Sequence, residues 1–253
     1  MEIYLQVALM LFIYFVLFFI IATIKRDNSL VDIAWGFGFV LAVLYTLITG
    51  PVSWVDILVS IMVSIWGVRL GLHILSRKIG KPEDFRYQKW RENWSYFYLR
   101  SFFQIFMLQG FLLFIIVYPS IKVVSSEVSN PGILGFIGIL VWLIGFGFEV
   151  ISDWQLKKFL EQRTSKDEIM NSGLWRYSRH PNYFGESLVW WGLYLVALDT
   201  VGGILIIASP LLITFLVRFV SGVPLLEKRY EDHDNYQEYA EKTNIFVPWF
   251  PKK

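Results

Sequence analysis

Residues 173–186, GLWRYSRHPNYFGE, decide how this chain is read. They lie between two strongly apolar regions and gather Arg176, Arg179 and His180 beside Tyr177, Asn182, Tyr183 and Glu186. Pro181 suits the first turn of a helix, where its missing N–H costs nothing. Asn182, Glu186 and Trp190 then recur every four residues and share one face of that helix. The cations precede its N-terminus, where free backbone N–H groups and a positive dipole end form a natural anion site. A basic loop at a membrane surface would also account for the cations. It would not account for a carboxylate carried into an apolar helix, which is expensive without a task.

Outward from this stretch the chain is apolar. Of its 253 residues, 55% are hydrophobic and 18% aromatic, and the mean hydropathy is +0.50. That balance excludes an ordinary soluble domain and predicts an all-α polytopic membrane bundle. Seven spans fit the apolar runs: 3–24, 30–49, 54–75, 101–121, 133–156, 186–198 and 202–220. The first is too long for a signal-peptide core and lacks a small-residue cleavage site. All but Lys122 and Arg69 of the 23 lysines and arginines fall at or after the ends of the first, third, fifth and seventh spans. The positive-inside rule then places the N-terminus outside and the C-terminus in the cytoplasm. No linker or repeat divides the chain, so 1–253 reads as one transmembrane domain. The absence of cysteine excludes disulfides and thiolate chemistry. The histidines His73, His180 and His233 are too scattered for a metal site. A formal charge of +2 points to no nucleic-acid partner, since topology accounts for the basic residues.

Several polar groups fall inside these spans. Asp32 follows Asn28 and Ser29, so it is either a first-turn acid beside a helix cap or a functional carboxyl. Arg69 lies deep in the third span and needs a partner, which Asp32 or Glu149 can supply. Glu149, Asp153 and Lys157 share one face of the fifth span, and Arg218 closes the seventh either as a site cation or as a snorkelling anchor. Such residues usually face a bundle interior or a wet cavity. A cavity rimmed by cations and floored by apolar side chains suits an anionic soluble ligand together with a lipid.

The stretch at 173–186, followed by WW at 190–191 and preceded by SDWQ at 152–155, resembles the steroid 5-alpha-reductase-like membrane proteins. NSLVDIAWG at 28–36 and WGVRLGLHI at 66–74 are similar to a bacterial branch of that family. The resemblance implies a seven-helix bundle in the bacterial inner membrane with its active site open to the cytoplasm. It implies NADPH-dependent reduction of a carbon–carbon double bond conjugated to a ketone, in an apolar lipid or steroid-like substrate. The cofactor region spans 149–227. Asn182 and Glu186 match cofactor contacts, Asp153 matches a cofactor-binding aspartate, and Arg218 matches an arginine near the phosphates. Glu149 stands where the animal enzymes carry asparagine. Arg176, Arg179 and Arg218 are suited to phosphates, and Lys157, Arg176 or Arg179 to a 2′-phosphate. Arg69, Tyr177, His180 and Tyr183 complete the expected cofactor set.

The animal reductases hold the substrate ketone with a glutamate and a tyrosine, and the matching positions here carry Asp32 and Trp66. An indole donates a single hydrogen bond and is no acid. Asp32 can serve as the acid if a low-dielectric site keeps it protonated, which a close Arg69 would oppose. Tyr87 is a second donor if its loop folds over the cavity. A histidine-rich segment after the last span is replaced by SGVPLLEKR at 221–229. An S-adenosylmethionine-dependent membrane methyltransferase is the alternative. Isoprenylcysteine and phospholipid methyltransferases carry a similar RHPxYxG stretch and a tail like LLEKRYEDHDNYQEYAEKTNIFVPWF, but are not expected to share NSLVDIAWG or WGVRL. A lipid-binding or assembly protein that keeps the fold without chemistry is a third class.

Overall fold

The computed structural model describes residues 2–126, 130–165 and 167–252. Among them the secondary structure is helical throughout, with no strand. Six helical runs are long and apolar enough to cross a membrane: Glu2–Lys25, Leu30–Thr49, Trp54–Lys78, Phe97–Val124, Ile133–Gln162 and Ile204–Arg229. This is an integral membrane architecture. The chain forms two compact units: Met1–Asn130 with Thr200–Gly202, and Pro131–Asp199 with Gly203–Lys253.

In the first unit, α1 (Glu2–Lys25) buries Val7, Leu11, Phe15 and Ala22 along one stripe and leaves its other faces to the apolar surroundings. Helices α2 (Leu30–Thr49) and α3 (Trp54–Lys78) form a hairpin. Ser53 opens α3 with a capping box: its hydroxyl accepts from the Asp56 N–H at 3.3 Å, and Asp56 accepts from the Ser53 N–H at 2.6 Å. The α2 and α3 backbones touch where Gly36 meets Gly67 and Gly71. A Cβ on Gly36 would lie 2.8 Å from the Gly67 carbonyl oxygen and 2.7 Å from the Gly71 nitrogen. Small residues of this kind let membrane helices approach closely. Short helices α4 (Phe85–Asn93) and α5 (Phe97–Ser101) follow. A π-helical turn at Phe102–Met107 then leads into α6 (Leu108–Val124). The expected span at 101–121 therefore begins earlier, at Phe97.

In the second unit, α7 (Ile133–Gln162) has 30 residues, about 45 Å at the helical rise. It outruns a hydrocarbon core of roughly 30 Å, and Asp153 and Lys157 lie in its last three turns. Helix α8 (Pro181–Thr200) packs antiparallel on it. Gly138 faces Gly192 and Gly145 faces Gly185, each so close that an added Cβ would meet the opposite carbonyl at 2.6–2.7 Å. Asp199, near the end of α8, accepts from the N–H groups of Gly132 and Gly135 and satisfies orphan donors at the start of α7. The expected span at 186–198 lies inside α8, which is not among the six. Glu186, Asp199, Trp190, Trp191 and Tyr194 lower its apolar character. After a 3₁₀ turn, α9 (Ala208–Phe215) enters a π-helical turn at Leu216–Val220 that carries Arg218. The run continues past the expected end at 220 through α10 (Val223–Arg229), and α11 (Asp234–Lys242) and an extended tail complete the unit.

Candidate functional site

Two polar clusters stand out, one in each unit. In the first, Asp32 sits in the opening turn of α2. Its carboxylate accepts from the Tyr87 hydroxyl at 2.7 Å and from Arg86 Nη2 at 3.0 Å. Asp84, the N-cap of α4, accepts from the Arg86 backbone N–H at 3.0 Å and from Arg86 Nε at 2.8 Å. The cap therefore aims the guanidinium at Asp32. Tyr87 is 2% exposed. Burial pushes its phenol well above the ordinary range, and the Asp32 charge pushes the same way.

Two contacts latch the start of α4 to the residues that open α2, and a third ties in the end of α3. The Asn28 N–H donates to Glu83 at 2.7 Å, and the Asp84 N–H donates to the Ser29 hydroxyl at 2.8 Å. Lys78 pairs with Asp27 at 2.7 Å. Neither Ser29 nor Asn28 caps α2 with its side chain. Ser29 makes no such bond, and Asn28 Nδ2 donates to the Ser101 hydroxyl at 2.5 Å. The capping reading of this segment is thus replaced by a latch. Trp66, read from the sequence as a catalytic position, is wholly buried with its ring edge-on to Phe39 at 5.2 Å. Arg86 is the partner that sequence reasoning missed, because it lies in a short polar helix outside the quoted motifs.

The second cluster surrounds the 173–186 stretch. A 3₁₀ turn at Gly173–Arg176 precedes α8 and is pinned to α7: the Leu174 N–H donates to Gln155 Oε1 and Trp175 Nε1 to the Ser152 carbonyl, both at 3.0 Å. Gly173 has φ +60, and a Cβ there would lie 2.5 Å from Gln155, so the turn requires glycine. Glu227 on α10 accepts from Arg179 Nε at 3.0 Å, Arg179 Nη2 at 2.8 Å, His180 Nε2 at 2.7 Å and the Tyr236 hydroxyl at 2.6 Å. Arg179 Nη1 donates to the carbonyls of Ala240 at 2.7 Å and Thr243 at 2.9 Å. Arg179 is therefore a clasp between the stretch and α10–α11, with four of its five N–H donors engaged by these acceptors. Its guanidinium, expected from the sequence to meet a phosphate, is engaged here by Glu227 and two carbonyls. His180 is 2% exposed, and burial holds its imidazole below the ordinary value against the pull of Glu227.

Other expected residues are placed more openly. Asn182 Nδ2 donates to Asp153 at 3.2 Å, joining α8 to α7. Asn182 Oδ1 and His180 Nδ1 are buried with no hydrogen-bond partner among the described residues. Tyr183 stacks on His180 at 5.8 Å, and Tyr177 meets Phe250 edge-on at 6.0 Å. Glu186 lies one turn beyond Asn182, half-buried, and Glu149 is 4% exposed. Arg218 lies over the Phe219 ring at 4.8 Å, and Arg176 is exposed. Neither makes an ion pair among the described residues. Lys157 is exposed and faces Glu161 at 4.0 Å. Arg69 lies in α3 of the first unit. Glu227 and Tyr236 were the missed residues here, although their segment had been quoted in full.

Comparison with known proteins fits this picture. The chain is 24% identical over 225 residues to an uncharacterised protein of Schizosaccharomyces pombe, covering 76% of this chain and 62% of that one. It is 26% identical over 114 residues to 3-oxo-5-alpha-steroid 4-dehydrogenase 1 of Rattus norvegicus, covering 44% of this chain and 40% of that one. The chain thus spans less than two thirds of the length of either curated relative. No solved structure matches it. The match that covers most of the chain is to a family model spanning residues 18–243, and by it this protein belongs to the DUF1295 family, described as proteins of unknown function.

Proposed function

We propose that this chain reduces a carbon–carbon double bond conjugated to a ketone in an apolar lipid or steroid-like substrate, with NADPH as the reductant. The observation that carries the proposal is the buried Tyr87 phenol donating at 2.7 Å to Asp32, with Arg86 on the second carboxylate oxygen. The reductase named among the relatives supports the reaction class.

When bound, NADPH would supply a hydride to the β-carbon of the enone. Negative charge then grows on the substrate oxygen, which needs a donor positioned in advance. Burial keeps Tyr87 protonated, so it suits that role. Asp32 orients the phenol as its hydrogen-bond acceptor, and turning the hydroxyl toward the substrate oxygen transfers the proton to give the enol, which becomes the saturated ketone by taking a proton from water at its α-carbon and losing the one on oxygen to water. Arg86, with its guanidinium carbon 5.2 Å from the Tyr87 ring centre, offsets the phenolate left behind until water restores the proton. Asp32 therefore acts as a positioning group and Tyr87 as the acid.

The second unit fits a dinucleotide in part. Asn182 Oδ1 is a buried acceptor awaiting a donor such as a carboxamide N–H. Asp153 fixes the other end of that side chain. Arg176 and Arg218 are the cations suited to the phosphates, in place of Arg179. In the same reading α8 is a seventh crossing. The N-terminus lies outside, the C-terminus is cytoplasmic, and the site opens to the cytoplasm of a bacterial inner membrane.

The test uses the full chain in lipid nanodiscs. NADPH, but not S-adenosylmethionine, should raise the melting temperature, as a ligand selective for the folded state does. Enones should be reduced with consumption of NADPH. Tyr87→Phe should keep NADPH binding and lose turnover by about 10²–10⁴-fold, the usual contribution of a positioned acid. Stabilisation by S-adenosylmethionine alone would move the chain to the methyltransferase class. Wild-type turnover in Tyr87→Phe would remove the proposed acid.

A further inference from the structure

The chain ends in a tail that is bound along one edge and bare along the other. The Arg179 N–H donates to the Asn244 carbonyl at 2.8 Å, the Ser178 hydroxyl to the Phe246 carbonyl at 2.7 Å, and the Trp249 N–H to the Tyr177 carbonyl at 2.9 Å. The Lys252 N–H returns to the Lys242 carbonyl at 2.9 Å. Phe246 turns inward against Phe184 of α8, ring centres 6.0 Å apart. Val247, Trp249 and Phe250 turn outward and are 58%, 68% and 74% exposed. Pro248 and Pro251 keep the segment extended and out of any helix. Three large apolar side chains displayed within four residues form a patch of the kind that marks an interaction surface.

We propose that residues 244–252 are a membrane foot: Trp249 and Phe250 enter the boundary between headgroups and acyl chains, and Lys252 meets anionic lipid headgroups. Three observations favour a lipid surface over a protein partner. The tail is hydrogen-bonded to the residues that open α8 and follows a membrane-length apolar run that ends at Arg229. An indole with one polar N–H, beside a phenyl ring, is the pair enriched at membrane interfaces. Residues 243–253 contain no acid, and Lys252 is followed in sequence by Lys253, so the segment is complementary to an anionic leaflet. The acids of this region, Asp234, Glu238 and Glu241, lie on the preceding helix α11. Backbone bonds tie the foot to 177–179, so seating it would hold the RYSRH segment at the headgroup level.

The absence of cysteine makes the test direct. Phe250→Cys in the full chain gives a single site for a nitroxide label, and Glu241→Cys on α11 gives a reference. Each protein is reconstituted in vesicles of phosphatidylcholine and of phosphatidylcholine with phosphatidylglycerol. The label at 250 should collide more often with dissolved oxygen than with a water-soluble nickel chelate, and the label at 241 should do the reverse. Phosphatidylglycerol should deepen the label at 250, and Lys252→Glu should abolish that deepening. Equal nickel accessibility at 250 and 241 in both vesicles would overturn the foot and leave the aromatic pair for a protein partner. A depth indifferent both to phosphatidylglycerol and to Lys252→Glu would overturn its anionic selectivity.

Discussion

Replacing Glu227 by glutamine should release the second cluster without unfolding the first unit. The carboxylate accepts four donors, three on Oε1 and one, from Arg179 Nη2, on Oε2. Glutamine keeps one acceptor oxygen and turns an NH₂ group toward Arg179 Nη2, donor against donor. A lost hydrogen bond to a charged group costs about 1.5–3 kcal/mol. Removing the charge from the ion pair adds to that. The total falls short of the upper part of the roughly 3–5 kcal/mol typical of a broken, fully buried pair, because the Glu227 side chain keeps 23% exposure. The sum is about 2–4 kcal/mol.

The loss should appear where the loosened guanidinium acts. Arg179 also holds the carbonyls of Ala240 and Thr243, so the end of α11 and the tail should open together. Hydrogen exchange at the Arg179 and Trp249 amides reads this, since both donate across the tail junction. A change of 2–4 kcal/mol is about 30- to 700-fold in protection at one decade per 1.4 kcal/mol. Amides of α2 and α3 should not change. Tyr236→Phe deletes one donor, leaves the ion pair, and should cost less. Unchanged protection at both junction amides would refute the clasp. An equal loss in Tyr236→Phe would show that the Arg179 pair contributes nothing.

The α7–α8 glycine contact should tolerate no side chain. Gly192→Leu places a Cβ 2.6 Å from the Gly138 oxygen and the Trp142 nitrogen and should destabilise by about 1–3 kcal/mol or more in thermal unfolding, whereas Gly147→Ala meets nothing within 4 Å and should be neutral to slightly stabilising. His180 sets a pH dependence. Its folded imidazole sits below the ordinary value, so the unfolded chain takes up the proton first, and stability held above about pH 6.5 should fall as the pH drops below it. His180→Gln should flatten that fall in melting curves, and identical slopes would refute it. For topology, reporter fusions at the C-terminus and within 122–131 should report opposite sides of the membrane, and a shared side would remove α8 as a crossing.

Much of the helix plan was legible because membrane spans are written in composition. The second span matches α2 end to end, and the first falls within a residue of α1 at either end. Legibility weakened where polar and interfacial residues interrupt the pattern. Helix α8 has the length of a span, but Glu186, Asp199 and its Trp and Tyr residues keep it from the apolar class. The runs that begin at Phe97 and end at Arg229 extend past the expected bounds at 101 and 220, because Tyr98 and Arg100 thin the apolar pattern at one end and Glu227, Lys228 and Arg229 at the other.

The site divided along a different line. Polar residues in an apolar chain stand out in the sequence and their partners do not, for a physical reason. Asp32 was singled out because a carboxylate at the base of an apolar helix needs company. Arg69 was the nearest cation in the quoted motifs. The partner observed is Arg86, aimed by its own helix cap Asp84 and carried on a helix latched through Glu83 and Ser29. The contacts that reach Asp32, Asn28 and Ser29 have no period, because each joins residues 54 or 55 positions apart. Arg179 shows the converse. Three cations before a helix N-terminus look alike in sequence, yet their tasks are set by what lies opposite. Glu227 and two helix-end carbonyls lie opposite Arg179 and engage its guanidinium as a clasp. Arg176 is exposed and has no such opponent among the described residues. The signal that could have separated them was the recurrence of RHP with the downstream LLEKRYEDH in one chain. A histidine and an arginine committed to a single glutamate would bring those two segments together, and a dinucleotide would then be left to Asn182, Arg176 and Arg218.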